Sequence, residues 1–313
     1  MESLVLILSS VLQFLQWILA QLRITRLAQR SLLRVLAAGP IPQHVGFVMD
    51  GNRRYARGKG KLVQEGHGDG YLALRRVLEI CLRLNIRCVS VYAFAIDNFK
   101  RPQQEVDALM QLAESKLLEL CSHGDLLQEY GVKLNVIGRR TLFPDSVQAA
   151  VRKAEDLTKG NNRSILNVCM PYSSRDEMTT AVEDCIREAL AKDVDYFTAC
   201  VLVDLSILLN TLGLTRTWFR DDPIEGITED TIDSHLMSVK RGSPPLDILI
   251  RTSGVKRLSD FMLWQCCENT QLHFSNTYWP DFGLFDFVPI IFEWQKSVWF
   301  RRQDVLFGGS SAS

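Results

Sequence analysis

Beyond residue 42, short β-rich runs alternate with longer stretches of helical periodicity. Apolar and β-branched residues cluster at 44–49, 88–94, 132–137, 164–170 and 247–251, with a shorter run at 272–274, and each predicts a strand. Between them, apolar positions recur every three or four residues at 71–84, 103–120, 146–158, 174–191 and 288–300, which predicts amphipathic helices. Strands separated by helices predict an α/β fold with a central, mostly parallel sheet flanked by helices. Ligands of such sheets sit beyond the carboxyl ends of the strands, so chemistry is expected in the polar residues at those exits.

Two regions depart from this rhythm. From Ser3 to Leu22 no side chain is charged, and the stretch is mostly Leu, Val, Ile, Phe and Trp; Arg23, Arg26, Arg30 and Arg34 come next, on one side of a helix. A spanning helix needs about 20 apolar residues, so residues 1–39 read as a membrane-associated helix that crosses or lies on the bilayer, with arginines facing anionic headgroups. A cleaved signal peptide carries its positive charge ahead of the apolar run, where only Glu2 stands. An amphipathic helix of the domain itself is the other reading, although Pro40 and Pro42 separate the segment from the first strand. The second departure is 193–245, which reads as an insertion: an apolar run from Ala199 to Leu214, then Trp218-Phe219, then acids from Asp221 to Glu229. A domain at 40–305 and a flexible tail at 306–313 complete the expected organisation.

The 36 basic and 36 acidic residues balance, so net charge gives no reason to expect a nucleic-acid partner. The 8 cysteines form no CxxC pair, which points to reduced thiols rather than a zinc ribbon or a disulfide scaffold.

Three stretches carry candidate chemistry. His44 to Arg57, HVGFVMDGNRRYAR, puts Asp50 at a strand exit, then Gly51 and the pair Arg53-Arg54. A carboxylate for Mg²⁺ and fixed guanidiniums for phosphate oxygens are what a metal-bound diphosphate requires; a β-turn Asp-Gly with two solvated arginines is the alternative. Tyr92 to Glu105, YAFAIDNFKRPQQE, offers Asn98 and Arg101 to the same cavity, with Phe94 and Phe99 as apolar walls; a turn before Pro102 also accounts for its polarity. Ile250 to Gln265, IRTSGVKRLSDFMLWQ, concentrates Arg251, Arg257, Ser253 and Ser259 after a buried-looking strand. It reads as a second anion site or as a capped helix start.

In order and spacing, these stretches resemble the cis-prenyltransferase family, the undecaprenyl and dehydrodolichyl diphosphate synthases, and are most similar to the eukaryotic dehydrodolichyl type. The resemblance implies that Asp50 binds Mg²⁺ and is essential. It implies that Gly51, Asn52, Arg53, Arg54 and His67 hold the allylic substrate, farnesyl diphosphate, and that Asn98 and Arg101 lie beside the reacting carbons. It places Arg251, Arg257 and Ser259 on isopentenyl diphosphate, and Phe94, Phe99 and Trp264 in the walls. A lengthening isoprenoid needs an apolar tunnel, expected between the helices at 71–84 and 103–120. The products would be long polyprenyl diphosphates for dolichol synthesis and protein glycosylation, made at the cytosolic face of the endoplasmic reticulum membrane or on a lipid droplet.

The chain also departs from the family. Val63 stands where bacterial members have an arginine, with Lys59 and Lys61 nearby as substitutes, and Val255-Lys256 stands where they have Glu-His. Leu306-Phe307-Gly308 replaces the terminal Arg-x-Gly of self-sufficient homodimers, so the resemblance implies a Nogo-B-receptor-like accessory subunit that donates its own. A non-catalytic subunit of such a heteromer is the rival reading, but it would lack Asp-Gly-Asn-Arg-Arg. A trans-type prenyltransferase would need paired Asp-rich motifs, and a nucleotide-binding protein a glycine loop such as GxGxxG; neither pattern occurs.

Overall fold

The computed structural model describes residues 27–121, 126–208 and 227–307. Most of the apolar amino-terminal segment, residues 209–226 of the expected insertion and the tail from 308 lie outside the described residues.

Six strands, β1 (His44–Val48), β2 (Cys88–Tyr92), β3 (Val132–Ile137), β4 (Ser164–Cys169), β5 (Ile248–Arg251) and β6 (Gln271–Phe274), form one sheet in the order β3-β4-β2-β1-β5-β6. Every pairing is parallel. The central strands β1 and β5 are buried at every position, whereas the edge strand β6 alternates, as sheets covered on both faces do at centre and edge. β1 lies where the strand order reverses, with β2 on one side and β5 on the other, so the crevice beyond β1 and β5 is where an open α/β sheet binds its ligand.

Helices cover both faces. Residues 27–37 are helical (α1), and α2 (Asn52–Gly58), α3 (Val63–Arg83), α4 (Gln103–Leu120), α5 (Leu126–Glu129), α6 (Asp145–Thr158), α7 (Ser174–Leu208), α8 (Glu229–His235), α9 (Met237–Lys240) and α10 (Leu284–Phe307) succeed it along the chain. The larger core packs α1, α3, α4, α6 and α10 against one sheet face, through strand residues such as Phe47, Val91, Leu134 and Ile250. α6 shows why: Val147, Ala150, Val151 and Ala154 fall on one stripe and are among the residues it buries. Under β1, Phe47 meets the rings of Trp279, Phe282 and Phe287 at 5.8, 6.2 and 5.7 Å. The opposite face buries a smaller cluster that includes Val48, Tyr172, Leu249 and Phe261.

Three helices are longer than their periodicity predicts. α3 begins at Val63 rather than 71, and α7 runs past 191 to Leu208. α10 spans Leu284–Phe307, with Pro289 inside its first two turns. Part of the region read as an insertion belongs to the fold: Leu236 is fully buried, and the Ser238 N–H donates to the buried Glu177 of α7 at 3.3 Å. Among the described residues no helix is long and apolar enough to cross a membrane.

Candidate active site

β1 ends in Val48, and two residues later Asp50 stands at the mouth of the crevice. Gly51 turns the chain with φ 107°, a left-handed conformation, and a Cβ there would lie 2.6 Å from the Tyr278 ring; only glycine allows both. α2 starts at once, and its first turn carries Asn52, Arg53 and Arg54 beside the carboxylate. The turn is locked from the neighbouring strand: the Asp50 N–H donates to Thr252 Oγ1 at 3.0 Å, Thr252 Oγ1 donates to the Asp50 carbonyl at 2.8 Å, and the Trp279 N–H reaches the same carbonyl at 3.1 Å.

The Asp50 carboxylate faces two guanidiniums. Arg251 Nη2 donates to Oδ2 at 2.8 Å, and Arg54 Nη2 lies 3.5 Å from Oδ1. Burial pushes the carboxyl up, but the Arg251 hydrogen bond and charge, with Arg54 and the Gly51 N–H, outweigh it and hold Asp50 below the usual carboxylate range. Arg251 itself is 4% exposed. Its Nη1 donates to the Arg257 carbonyl at 2.5 Å and to Ser259 Oγ at 2.6 Å. One buried arginine therefore joins the first and third of the candidate stretches.

A cleft of about 930 Å³ opens in front of this pair, and six arginines against four aspartates line it. A cleft with that excess draws anions. It brings together Asp50, Asn52, Arg53, His67, Asn98, Arg101, Arg251, Arg257 and Ser259. Gly51 and Arg54 line an adjoining recess of about 310 Å³ that shares Asp50, Arg53 and Arg101 with the cleft. Arg101 is fixed by Glu105 at 2.9 Å and by Asn98 Oδ1 at 2.9 Å, and Arg53 lies 3.8 Å from the same Glu105. Of the five buried side-chain polar atoms without a hydrogen-bond partner among the described residues, three lie here: Asn52 Oδ1, His67 Nε2 and Arg251 Nε. Buried polar groups are rarely left unmatched, so three in one cleft call for an explanation, a bound ligand or ordered water among them. Burial and the charge of Arg101 lower the His67 imidazole to about 4, so it is neutral near pH 7.

A second cavity, mostly apolar and about 130 Å³ in volume, lies between α3 and α4 and shares Met49, Asn52 and His67 with the cleft. Phe94 lines it, whereas Phe99 packs edge-on against the Phe94 ring at 4.9 Å and borders neither cavity. Trp264 is not in the walls of the cleft: it borders a separate cavity of about 450 Å³ with His44 and Ser243. Lys59 and Lys61, the candidate substitutes for the bacterial arginine at Val63, are engaged elsewhere, Lys59 3.6 Å from Asp281 and Lys61 2.6 Å from Asp69.

Sequence reasoning missed Arg139 and Arg175, which line the cleft. Both come just after strands, β3 and β4, so the rule that singled out Asp50 would have found them.

Among the described residues no three His, Cys, Asp or Glu side chains are grouped so as to hold a metal ion. The donors present suit Mg²⁺, which keeps several waters and takes one or two carboxylates together with substrate phosphate oxygens. Asp50, held below the usual carboxylate range and 31% exposed at its side chain, has the charge and the access that such a carboxylate needs.

The family model described as "Putative undecaprenyl diphosphate synthase" matches residues 48–302. A dehydrodolichyl diphosphate synthase complex subunit of Schizosaccharomyces pombe is 40% identical over 282 residues, 90% of this chain and 93% of that protein. A dehydrodolichyl diphosphate synthase complex subunit of Homo sapiens is 38% identical over 269 residues, 86% of this chain and 72% of that one. The crystal structure of lavandulyl diphosphate synthase from Lavandula x intermedia, in complex with dimethylallyl diphosphate, is similar with a TM-score of 0.65 at 27% identity, over 82% of this chain and 95% of that one. The chain belongs to the cis-prenyltransferase family, the undecaprenyl and dehydrodolichyl diphosphate synthases.

Proposed function

We propose that this cis-prenyltransferase lengthens farnesyl diphosphate with successive isopentenyl units to make a long-chain dehydrodolichyl diphosphate. The observation that supports this reading best is the Asp50–Arg251 contact of 2.8 Å across the exits of β1 and β5. It sets a carboxylate and a buried guanidinium between two groups of cations, at the head of an apolar cavity.

In each cycle the allylic C–O bond breaks and the diphosphate leaves with the electron pair. A carbon–carbon bond forms to the terminal carbon of the isopentenyl double bond, and a proton leaves C2, on the other side of the tertiary carbon, for a diphosphate oxygen, so that the product is again an allylic diphosphate. Arg53, Arg54 and the neutral His67 bind the departing diphosphate, where charge grows most in the transition state. Asn98 orients Arg101 toward the same oxygens. Arg257 and Ser259 hold the second diphosphate so that its double bond lies near the allylic carbon. Mg²⁺, held by Asp50 and substrate oxygens, would neutralise charge on the leaving diphosphate. The cavity between α3 and α4 is the start of the tunnel that takes the growing chain, with Phe94 in its wall.

The remaining parts of the reading concern assembly. Leu33 and Leu36 of α1 are buried while Arg30 and Arg34 are exposed, an arrangement suited to bringing the apolar segment before it to the cytosolic face of the endoplasmic reticulum membrane, with residues 40–305 as the catalytic domain. Leu306 in place of an arginine calls for an accessory subunit, of the Nogo-B-receptor type, that completes the phosphate site.

The test is incubation of the membrane-bound chain, alone and with such a subunit, with farnesyl diphosphate, labelled isopentenyl diphosphate and Mg²⁺. Long polyprenyl diphosphates that need the subunit support the whole reading. Full activity of the chain alone removes the accessory subunit, and no elongation under either condition removes the catalytic role.

A further inference from the structure

Five non-glycine residues have positive φ among the described residues, and four of them, Ser253, Ser259, Asp260 and Met262, lie in the loop after β5. Left-handed backbone of this kind costs about 1–3 kcal/mol per residue and persists only where the surroundings over-determine it. Arg257 and Ser259 ride on this loop, so whatever holds it also places the second diphosphate.

On one side the loop hangs from Arg251, through the Arg257 carbonyl and Ser259 Oγ. On the other it is clasped to the start of α7, beyond β4. Asp260 Oδ2 accepts from Ser173 Oγ at 2.7 Å and from Arg175 Nε at 3.0 Å, and Oδ1 accepts from the Arg175 N–H at 3.0 Å. The Asp260 carbonyl accepts from the Ser174 N–H at 2.8 Å, and Ser174 Oγ, fully buried, accepts from the Leu263 N–H at 2.8 Å. Asp260 is one of the aspartates lining a cleft that must receive diphosphates. A free carboxylate there would repel them; this one has both oxygens turned to the clasp and is paired with Arg175.

We propose that Asp260 is a positioning residue for isopentenyl diphosphate, acting through the strained loop that carries Arg257 and Ser259. The inference rests on the assignment of that loop to the second diphosphate. Two of the three bonds to the carboxylate come from Ser173 and the Arg175 backbone, so the clasp survives loss of the Arg175 side chain better than loss of Asp260.

The experiment compares wild type with Asp260→Ala, Asp260→Asn and Arg175→Ala in the active holo-complex, with KM measured separately for each substrate. Asp260→Ala is expected to raise KM for isopentenyl diphosphate by about tenfold or more, the loss of roughly one hydrogen bond to a charged group, while KM for farnesyl diphosphate stays within about twofold. Asp260→Asn, which keeps an acceptor for the Arg175 N–H, and Arg175→Ala should both show a smaller rise. Amide exchange over residues 253–262 should quicken in Asp260→Ala. An equal rise in both KM values, or no rise in either, overturns the proposal. If the wild type transfers no prenyl group at all, the functional reading fails, and exchange alone decides the clasp: faster exchange upholds it, unchanged exchange ends it.

Discussion

His44 and His67 are both lowered to about 4 by burial, yet they sit in opposite kinds of polar surroundings. His44 belongs to a ribbon that crosses four neighbouring strands. Its Nδ1–H donates to the Pro244 carbonyl at 2.8 Å, which leaves Nε2 to accept from Ser90 Oγ at 2.7 Å. Asn167 Nδ2 donates to Ser90 Oγ at 3.0 Å and to Ser243 Oγ at 2.7 Å, and Asn135 Nδ2 donates to Asn167 Oδ1 at 3.0 Å. At the strand exits, by contrast, His67 Nε2, Asn52 Oδ1 and Arg251 Nε are buried without partners. The first set is matched within the protein and stabilises the fold; the second has donors and acceptors left for a ligand or water. Neither burial nor a shifted pKa separates the two histidines; the clustering of unmet hydrogen bonds in one cleft does, since the other two such atoms among the described residues, Gln265 Oε1 and His273 Nε2, stand apart from it.

Substitutions at the two histidines sharpen this contrast. His44→Ala should cost about 3 kcal/mol in urea unfolding, because it opens a cavity and leaves Ser90 Oγ and the Pro244 carbonyl short of a partner; the folded fraction should keep its kcat and both KM values. A loss of turnover at full stability would break the comparison.

Acid should act through the same residue. Below pH 6.5 the unfolded chain takes up a proton that folded His44 refuses until about pH 4. Stability is thus fully present above 6.5 and falls as pH drops from 6.5 to 4, by up to roughly 3 kcal/mol from this group. Unfolding midpoints at pH 7 and pH 5 should differ more for the wild type than for His44→Gln; equal slopes would deny His44 this role.

His67→Ala should do the reverse of His44→Ala. It removes one hydrogen bond to a charged substrate, worth about 2 kcal/mol or roughly 30-fold in kcat/KM, while the unfolding midpoint hardly moves. Unchanged kinetics would return His67 to the class of packed core residues.

The contrast also explains what could be read from the chain. Apart from the polar ribbon that crosses them, the central strands are mostly apolar and β-branched, and Asp50 stands at the exit of one of them, so both the sheet and the place to look for a site were legible. The start of α3 was not, because Gly66, Gly68 and Gly70 weaken the helical pattern. The fold needs Gly66 small, because a Cβ there would lie 2.6 Å from the Asn52 carbonyl oxygen; one at Gly70 would lie 2.7 Å from Asn52 Oδ1 and would displace that side chain. The Asp260 clasp was not legible either. It joins residues 85 or more positions apart, and only the tertiary meeting of the β4 and β5 exits puts Arg175 beside Asp260.

The central claim is that an ionised carboxylate at the exit of β1 works with Arg251 on a diphosphate. Asp50→Asn tests it most directly, since the amide oxygen can still accept from Arg251 while the charge is gone. Prenyl transfer should fall by roughly a thousandfold or more with the unfolding midpoint shifted by only a few degrees; turnover within about tenfold of wild type would contradict the account.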